Sequence, residues 1–191
     1  MTSAMTRSEA GPQVGDLAPD VTVRREDGSP ITLSQLWQNG PVVLVFLRHL
    51  GCTFCREHIA QLRQDEARFR ELGATIALIS LGSPEATAEF CATRAPEDIF
   101  VCLSDPEKQA YRAFGLRRAE IGELLAPHLW ARGLQNMLHG HFAGMPKGDV
   151  YQLPGVFIVD RAGVVRYAHR HRDAADNPPN FELLDVLGAL P

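Results

Sequence analysis

Residues 41–57, PVVLVFLRHLGCTFCRE, decide the fold of this chain, because an apolar run leads directly into a pair of cysteines. An uninterrupted apolar run such as 42–47 is typical of a strand that is buried on both faces of a sheet. The residues after the pair have an amphipathic helical pattern that ends at Gly73, and glycine is a common helix stop. The stretch therefore predicts a buried strand that delivers Cys52 and Cys55 to the first turn of one long helix.

This placement favours a reactive sulfur. Free backbone N–H groups and the positive end of the helix dipole stabilise a thiolate at a helix N-terminus. Cys52 lies at the predicted helix start and is the predicted nucleophile, whereas Cys55 lies further in and is more shielded. Four residues with basic side chains lie close to the pair in sequence and are expected to add to the effect: Arg48, His49, Arg56 and His58.

Length and composition indicate one globular domain with an ordinary core. The chain has 191 residues, of which 45% are hydrophobic and 22% charged, and its net charge is -4. This charge gives no reason to expect nucleic acid or an anionic membrane as a partner, and no apolar run approaches the roughly 20 residues that cross a bilayer. The first residues lack the apolar core of a secretory signal, so we expect a cytoplasmic protein with four reduced cysteines.

Short apolar runs alternate with helical patterns along the rest of the chain. This alternation predicts an α/β fold with a central, mostly parallel sheet flanked by helices. The predicted strands beyond the first are 21–23, 31–33, 74–80, 99–103, 155–160 and 164–168. The predicted helix N-caps are Ser34, Ser83, Asp105 and Asn180.

We expect a single domain over residues 15–191, preceded by a flexible N-terminus over residues 1–14. Residues 116–150 interrupt the alternation, because apolar residues at helical spacing are followed by a loop rich in glycine and histidine. We interpret this segment as a helical insertion that packs over or beside the cysteines, or as a dimer surface. The sequence leaves the oligomeric state open, including a homodimer.

The order of the elements, with Leu153-Pro154 directly before the last hairpin, resembles the thioredoxin fold. The resemblance implies a central mixed sheet and a cis-proline loop at Pro154 that faces the cysteine pair. Within that superfamily the chain is similar to the alkyl hydroperoxide reductase and thiol-specific antioxidant (AhpC/TSA) group of peroxiredoxin-like proteins. The similarity extends over roughly residues 13–190, and the segments that carry it are 15–20, 27–34, 46–57 and 157–166.

Peroxiredoxins have the pattern Pro-x-x-x-Thr-x-x-Cys at their reactive cysteine, and this chain departs from it. Counting back from Cys52, His49 replaces the threonine and Val45 replaces the proline. The His49 ring can hydrogen-bond to a peroxide or a thiolate, although with a different geometry from a hydroxyl. The family's second arginine has no counterpart near Pro154, and Arg48 is the alternative source of positive charge.

The resemblance implies a thiol-dependent antioxidant oxidoreductase that uses no metal or other cofactor. Cys52 attacks a peroxide and becomes a sulfenic acid, and Cys55 resolves it as an intramolecular disulfide. A thioredoxin-like protein or a small thiol then reduces the disulfide by exchange. The residues expected to support the two catalytic cysteines are Arg48, His49, Thr53 and Pro154.

Two alternatives remain open at this point. One is a protein thiol-disulfide oxidoreductase with little peroxidase activity. The other is a non-enzymatic metal-binding or redox-sensing module, in which Cys91 and Cys102 complete a zinc site with the CxxC pair. If they do not, these two cysteines are expected to be small buried hydrophobic residues. A further candidate metal cluster consists of His128, His139 and His141. Histidines in a loop rarely form such a cluster.

Overall fold

The computed structural model describes residues 10–95, 99–120 and 149–191. Most of the predicted insertion lies outside these residues, and so do His128, His139 and His141. Within the described ranges, no helix combines the length and the apolar character needed to cross a membrane.

Seven strands and six helices make up the described part of the chain. The strands are β1 (Thr22–Arg25), β2 (Pro30–Thr32), β3 (Val42–Phe46), β4 (Thr75–Ser80), β5 (Phe100–Ser104), β6 (Gly155–Val159) and β7 (Val165–Arg170). The helices are α1 (Ser34–Trp37), α2 (Thr53–Gln64), α3 (Glu66–Glu71), α4 (Pro84–Arg94), α5 (Gln109–Ala113) and α6 (Asn180–Gly188). The strands form one sheet in the order β2-β1-β5-β4-β3-β6-β7.

The sheet is mixed, which confirms the α/β architecture and corrects the expectation of a mostly parallel sheet. Strand β4 pairs in parallel with both β3 and β5, whereas the hairpins β1/β2 and β6/β7 join the sheet through antiparallel pairs. Strand β3 lies between β4 and β6, and all five of its residues are buried. Its uninterrupted apolar sequence follows from this position, because both of its faces are covered.

Each face of the sheet has its own apolar layer. One layer joins the sheet to α2, α3, α4 and α6 and includes both Cys52 and Cys55. The other contains a group of aromatic rings, Phe46, Phe114 and Phe157, whose centroids lie 4.8 to 5.8 Å apart. The cysteine pair is therefore part of the packed core rather than of an open loop.

The predicted long helix after the cysteines is broken at Asp65, between α2 and α3. In a continuous α-helix the Asp65 N–H would donate to the carbonyl of Gln61, but it donates to the carbonyl of Leu62. The Gln61 carbonyl instead accepts a 2.7 Å hydrogen bond from Asn180 Nδ2. The same amide donates to the Asp65 carboxylate at 2.8 Å. Asn180 therefore fixes the break from α6. The prediction that Asn180 is the N-cap of α6 is wrong, because the N-cap is Pro179 and Asn180 is the first helical residue. The predicted stop at Gly73 is confirmed by its positive φ of 66°.

The other predicted N-caps have different outcomes. Ser83 caps α4 as predicted, because its Oγ accepts from the N–H of Ala86 at 3.3 Å. Ser34 is the first residue of α1, and the Asp20 carboxylate accepts its N–H at 2.9 Å. Asp105 accepts N–H groups from the first turn of α5, although that helix begins four residues later at Gln109. Asp20 thus replaces Ser34 as the acceptor at the start of α1, whereas Asp105 accepts the first N–H groups of α5 from outside the helix.

Two residues of the predicted flexible N-terminus, residues 1–14, contact the domain. A Cβ on Gly11 would lie only 2.4 Å from the carbonyl oxygen of Phe114, so the chain packs tightly there. The Arg170 guanidinium donates to the carbonyl of Pro12 at 2.6 Å. Gly11 and Pro12 are therefore buried against the domain.

The two ends of the predicted insertion lie side by side. The N–H of Ala119 donates to Tyr151 at 2.6 Å, and the N–H of Leu153 donates to Arg117 at 3.0 Å. The chain leaves and rejoins the domain at this short antiparallel pairing, which is the connectivity that an insertion requires.

Candidate active site

The candidate site lies where β3 ends and α2 begins. The N–H of Cys52 donates to the carbonyl of His49 at 2.9 Å, which closes a tight turn before the helix. Cys52 is the N-cap of α2, and Cys55 lies in the first turn. Both are free thiols, and their exposed fractions are only 3% and 5%. The predicted placement of the pair at a helix N-terminus is confirmed.

The two thiols differ strongly in acidity. The Cys55 thiol donates a hydrogen bond to the Cys52 sulfur, and this bond is the main reason that the pKa of Cys52 is lowered to about 6, against the opposing effect of burial. Nearby N–H groups and the charge of Arg48 lower it further, although no regular capping hydrogen bond forms. The same hydrogen bond, with burial, raises the pKa of Cys55. At neutral pH, Cys52 is therefore a thiolate and Cys55 a thiol.

Arg48 connects the cysteine pair to the segment that precedes β6. Its backbone N–H donates to the Sγ of Cys55 at 3.3 Å, and its guanidinium donates through two nitrogens to the carbonyl of Val150. From this position its positive charge lowers the pKa of Cys52. Arg48 thus supplies positive charge near Cys52 from a position two residues after the end of β3.

His49 is buried and neutral at physiological pH. Burial, followed by the charges of Arg48 and Arg56, lowers its pKa to about 4. Burial likewise lowers the pKa of His58 to about 4, so the expectation that these two histidines add positive charge is wrong. The Nδ1 of His49 is buried without a hydrogen-bond partner among the described residues. It is free for the hydrogen-bonding role that the sequence predicts.

The other two supporting residues are Thr53 and Pro154. Thr53 is the half-buried first residue of α2. The Leu153-Pro154 peptide bond is trans, so the cis-proline implied by the resemblance is wrong for this structure. The N–H of Leu153 donates to the carbonyl of Arg117. This hydrogen bond holds the segment before Pro154 extended, which is compatible with the more stable trans isomer. Pro154 is buried, and its carbonyl accepts the N–H of His171 at 3.2 Å.

Cys91 and Cys102 form a disulfide that links α4 to β5, with their Cα atoms 6.6 Å apart. This corrects the expectation that all four cysteines are reduced. It also removes both residues from the zinc alternative, because the metal-binding form of cysteine is the thiolate. The Glu26 carboxylate lies within 4.8 Å of both sulfurs, but two sulfurs joined in a disulfide do not act as metal ligands, so this trio is not a metal site. Spacing alone did not reveal the bond, because it depends on how α4 packs on the sheet.

Tyr111 has a role that the sequence did not reveal. It is buried in the core, and its hydroxyl donates to the carbonyl of Leu47 at 2.6 Å and to that of Ile79 at 2.8 Å. These carbonyls lie at the ends of β3 and β4, where the site loop departs. The phenol therefore joins the two strands beneath the cysteines, which no local sequence pattern indicates.

Comparisons with known proteins agree with this geometry. The AhpC/TSA family model matches residues 14–168. Peroxiredoxin-like 2C of Mus musculus is 25% identical over 194 residues, covering 96% of this chain and 84% of the mouse protein. The prostamide/prostaglandin F synthase of Danio rerio is 30% identical over 175 residues, covering 84% of this chain and 81% of the fish protein. The crystal structure of peroxidoxin BcpB from Mycobacterium tuberculosis is similar with a TM-score of 0.68 and 22% identity, covering 94% of this chain and 98% of that one.

Proposed function

The chain belongs to the AhpC/TSA family, and on this basis we propose that it reduces peroxides through Cys52 and Cys55. Family membership, together with the peroxiredoxin-like relatives, makes it a thiol-dependent oxidoreductase. One observation supports the two roles most directly: the thiolate is favoured on Cys52, while Cys55 keeps its proton.

In the first step the Cys52 thiolate attacks one peroxide oxygen. An S–O bond forms, the O–O bond breaks, and the second oxygen leaves as water or an alcohol once it is protonated. The low pKa supplies the thiolate at neutral pH, and Arg48 supplies positive charge near the reacting sulfur. Cys55 stays protonated and does not compete as a nucleophile.

In the second step Cys55 resolves the sulfenic acid. Its sulfur attacks the Cys52 sulfur, an S–S bond forms, and the hydroxyl of the sulfenic acid leaves as water with the proton that Cys55 gives up. The hydrogen bond between the two side chains means that the sulfurs are already neighbours before the reaction begins. Little movement is then needed to form the intramolecular disulfide.

A reductant must restore the two thiols. We propose a thioredoxin-like protein or a small thiol, which attacks the disulfide and is itself oxidised by exchange. Because both cysteines are nearly inaccessible in the reduced form, the attacking thiol must reach them through local opening of the site. A cytoplasmic location, a homodimer, and a single domain with an insertion over residues 116–150 stay predictions.

The alternatives are less well supported. The relatives do not favour a disulfide-exchange enzyme, and the Cys91–Cys102 bond leaves the CxxC pair without the other two zinc ligands proposed for it. The fish relative is named a prostamide/prostaglandin F synthase, so prostaglandin-related compounds are worth testing as substrates.

The test is to compare peroxide turnover with disulfide exchange in the same protein. With dithiothreitol as reductant, we expect wild-type protein to consume hydrogen peroxide and cumene hydroperoxide. Turnover should disappear in Cys52→Ser and slow in Cys55→Ser, because the second variant can form the sulfenic acid but lacks the resolving thiol. Insulin reduction without measurable peroxide turnover by the wild type would refute the proposal.

A further inference from the structure

The peptide group between Val150 and Tyr151 is held at both of its polar ends. Its carbonyl accepts two hydrogen bonds from the Arg48 guanidinium, one of them from Nε at 2.9 Å. Its N–H donates to Oδ1 of Asp149 at 2.9 Å. The carbonyl and the N–H of a trans peptide lie in one plane and point in opposite directions, so an acceptor that fixes the N–H also aims the carbonyl. Asp149 therefore directs the Val150 carbonyl toward Arg48.

The Asp149 carboxylate is itself anchored to the domain. Its other oxygen, Oδ2, accepts from Lys108 Nζ and lies 3.0 Å from Arg118 Nε. The Asp149 side chain is only 16% exposed, so water screens these ion pairs less than it screens pairs on an open surface. Against the effect of burial, the hydrogen bonds from Lys108 and from the N–H of Tyr151 lower the pKa of Asp149. At neutral pH it is therefore ionised, with both oxygens engaged.

The backbone on either side of this peptide is closed as well. The N–H of Gln152 donates to the carbonyl of Asp149 at 3.2 Å, which makes residues 149–152 a tight turn. The N–H of Ala119 donates to the carbonyl of Tyr151 at 2.6 Å. The turn is thus fixed at its end by the backbone and at its start by the Asp149 side chain.

The position of the Arg48 side chain depends on this turn. Among the described residues, the Val150 carbonyl is the only acceptor for the Arg48 guanidinium. A long arginine side chain loses rotamer freedom when it is ordered, so without an acceptor it would not stay in one place. After the hydrogen bond from Cys55, and against burial, the charge of Arg48 is among the causes that lower the pKa of Cys52. The place of residue 150 therefore decides where this charge acts.

We propose that Asp149 is a positioning residue for Cys52, because it orients the peptide that holds the Arg48 guanidinium near the reacting sulfur. It acts through Arg48 and takes no part in the bonds that form and break, so the two reaction steps above are unchanged. The effect on the acidity of Cys52 holds whatever the substrate is. Only the accompanying effect on peroxide turnover rests on the proposed function.

Removing the Asp149 carboxylate has two effects of opposite sign. A negative charge disfavours a nearby thiolate, so loss of that charge alone would lower the pKa of Cys52. Loss of the anchor lets the Arg48 guanidinium move away, which raises the same pKa. A rise therefore reports the positioning role. The other titratable groups close to the pair, His49 and Arg56, are the same in every variant.

The experiment measures the rate at which iodoacetamide alkylates Cys52 at pH 6 and at pH 9, with mass spectrometry to assign the modified residue. In Asp149→Ala the ratio of the pH 6 rate to the pH 9 rate should fall about twofold, because about half of Cys52 is a thiolate at pH 6 and a small rise in its pKa halves this fraction. Asp149→Asn keeps an oxygen that can accept the Tyr151 N–H, so its ratio should fall less. A change that merely loosens the fold would alter both rates by the same factor.

Asp160→Asn is the matched control. Asp160 is likewise a largely buried carboxylate that pairs with an arginine, Arg166, and accepts backbone N–H groups. It follows β6 at the end away from the cysteines, because it is the Gly155 end of β6 that pairs with the end of β3 at Phe46. The alkylation ratio of this variant should equal that of the wild type.

A double variant tests the route through Arg48. In an Arg48→Gln background, Asp149→Ala should no longer lower the alkylation ratio, because the guanidinium that Asp149 positions is absent. A further fall as large as in the wild-type background would overturn the inference, since Asp149 would then act by another route. An unchanged or higher ratio in Asp149→Ala would overturn it as well. If that variant does not fold, the same result in Asp149→Asn decides the matter.

Peroxide turnover separates this inference from the proposed function. In Asp149→Ala, kcat/KM for hydrogen peroxide should fall about twofold at pH 6 and stay unchanged at pH 9, in step with the thiolate fraction. If the alkylation ratio falls as expected but the wild type consumes no peroxide, the proposed function is refuted and the positioning role stands. If the wild type consumes peroxide and the alkylation ratio does not fall, the positioning role alone is refuted.

Discussion

The backbone N–H of Arg48 donates a hydrogen bond to the Sγ of Cys55 at 3.3 Å. The Cys55 sulfur therefore accepts a hydrogen bond from the backbone of Arg48, while its own S–H group donates to the Cys52 sulfur. The acidity of Cys52 thus depends on a proton that its neighbour gives up only in the second step of the reaction.

The first prediction concerns that proton. Cys55→Ala removes the hydrogen-bond donor. The pKa of Cys52 should then rise from about 6, because burial raises this pKa and the hydrogen bond no longer offsets it. Cys55→Ser keeps an O–H donor, and the pKa of Cys52 should rise less. The rate of iodoacetamide alkylation of Cys52 against pH, followed by mass spectrometry, gives both values. Identical profiles for the alanine and serine variants would show that the hydrogen bond does not set the acidity.

A second prediction concerns the Tyr111 hydroxyl beneath the site. Tyr111→Phe leaves the buried carbonyls of Leu47 and Ile79 without this donor and should lower the free energy of unfolding by about 1–3 kcal/mol. Tyr167→Phe is the matched control, because its hydroxyl donates to Glu182 from a half-exposed position and should matter less. Urea denaturation measures both. Equal losses in the two variants would argue against a special role for Tyr111.

The Cys91–Cys102 disulfide should stabilise the fold. It closes a short loop, with a sequence separation of 11 residues, and such a bond contributes roughly 2–4 kcal/mol. In a background with Cys52 and Cys55 both changed to serine, adding Cys91→Ala and Cys102→Ala should lower the melting temperature by several degrees. A reductant should lower the melting temperature of the background protein but not that of the disulfide-free variant. Equal melting temperatures without reductant would contradict the prediction.

Stability should fall in mild acid because of buried neutral histidines. Burial lowers the pKa values of His49 and His58 to about 4 and that of His171 to about 3, whereas an unfolded histidine has its ordinary value of 6.5. Above pH 6.5 all three are neutral in both states and contribute nothing. Below it the unfolded chain binds protons that the fold rejects, so stability is lost as the pH falls from 6.5 toward 4.

The size of this loss is measurable with a single variant. Between pH 7 and pH 5, each histidine should cost roughly 1–2 kcal/mol in the free energy of unfolding. His171→Phe removes one of these three histidines and should flatten the pH dependence, whatever its effect at pH 7. An unchanged slope in urea denaturation at the two pH values would contradict the assignment.

Local sequence patterns were enough for the central part of the fold. The apolar run 42–47 predicted β3, and the cysteine spacing with the pattern after it predicted the start of α2. Gly28 and Gly163 lie in the turns of the two hairpins with positive φ of 82° and 77°, a conformation for which glycine is the usual sequence signal. These features depend on residues close together in the chain, so the sequence contains them directly.

The errors arose where distant residues meet. Asn180 breaks the helix at Asp65 from more than a hundred residues away, and no pattern around residue 65 indicates it. The Cys91–Cys102 bond follows from the packing of α4 on β5. In the candidate site, the positions of the two cysteines were predictable, whereas the neutral state of His49 depended on how deeply the fold buries it.

The most direct test of the central claim follows the thiols after one equivalent of hydrogen peroxide is added to reduced protein. Mass spectrometry should find rapid formation of a Cys52–Cys55 disulfide in the wild type. In Cys55→Ser a dimedone-trapped sulfenic acid should appear on Cys52, and Cys52→Ser should not react at a comparable rate. If the wild-type thiols persist as long as an ordinary free cysteine does, Cys52 is not a peroxidatic residue and the account is wrong.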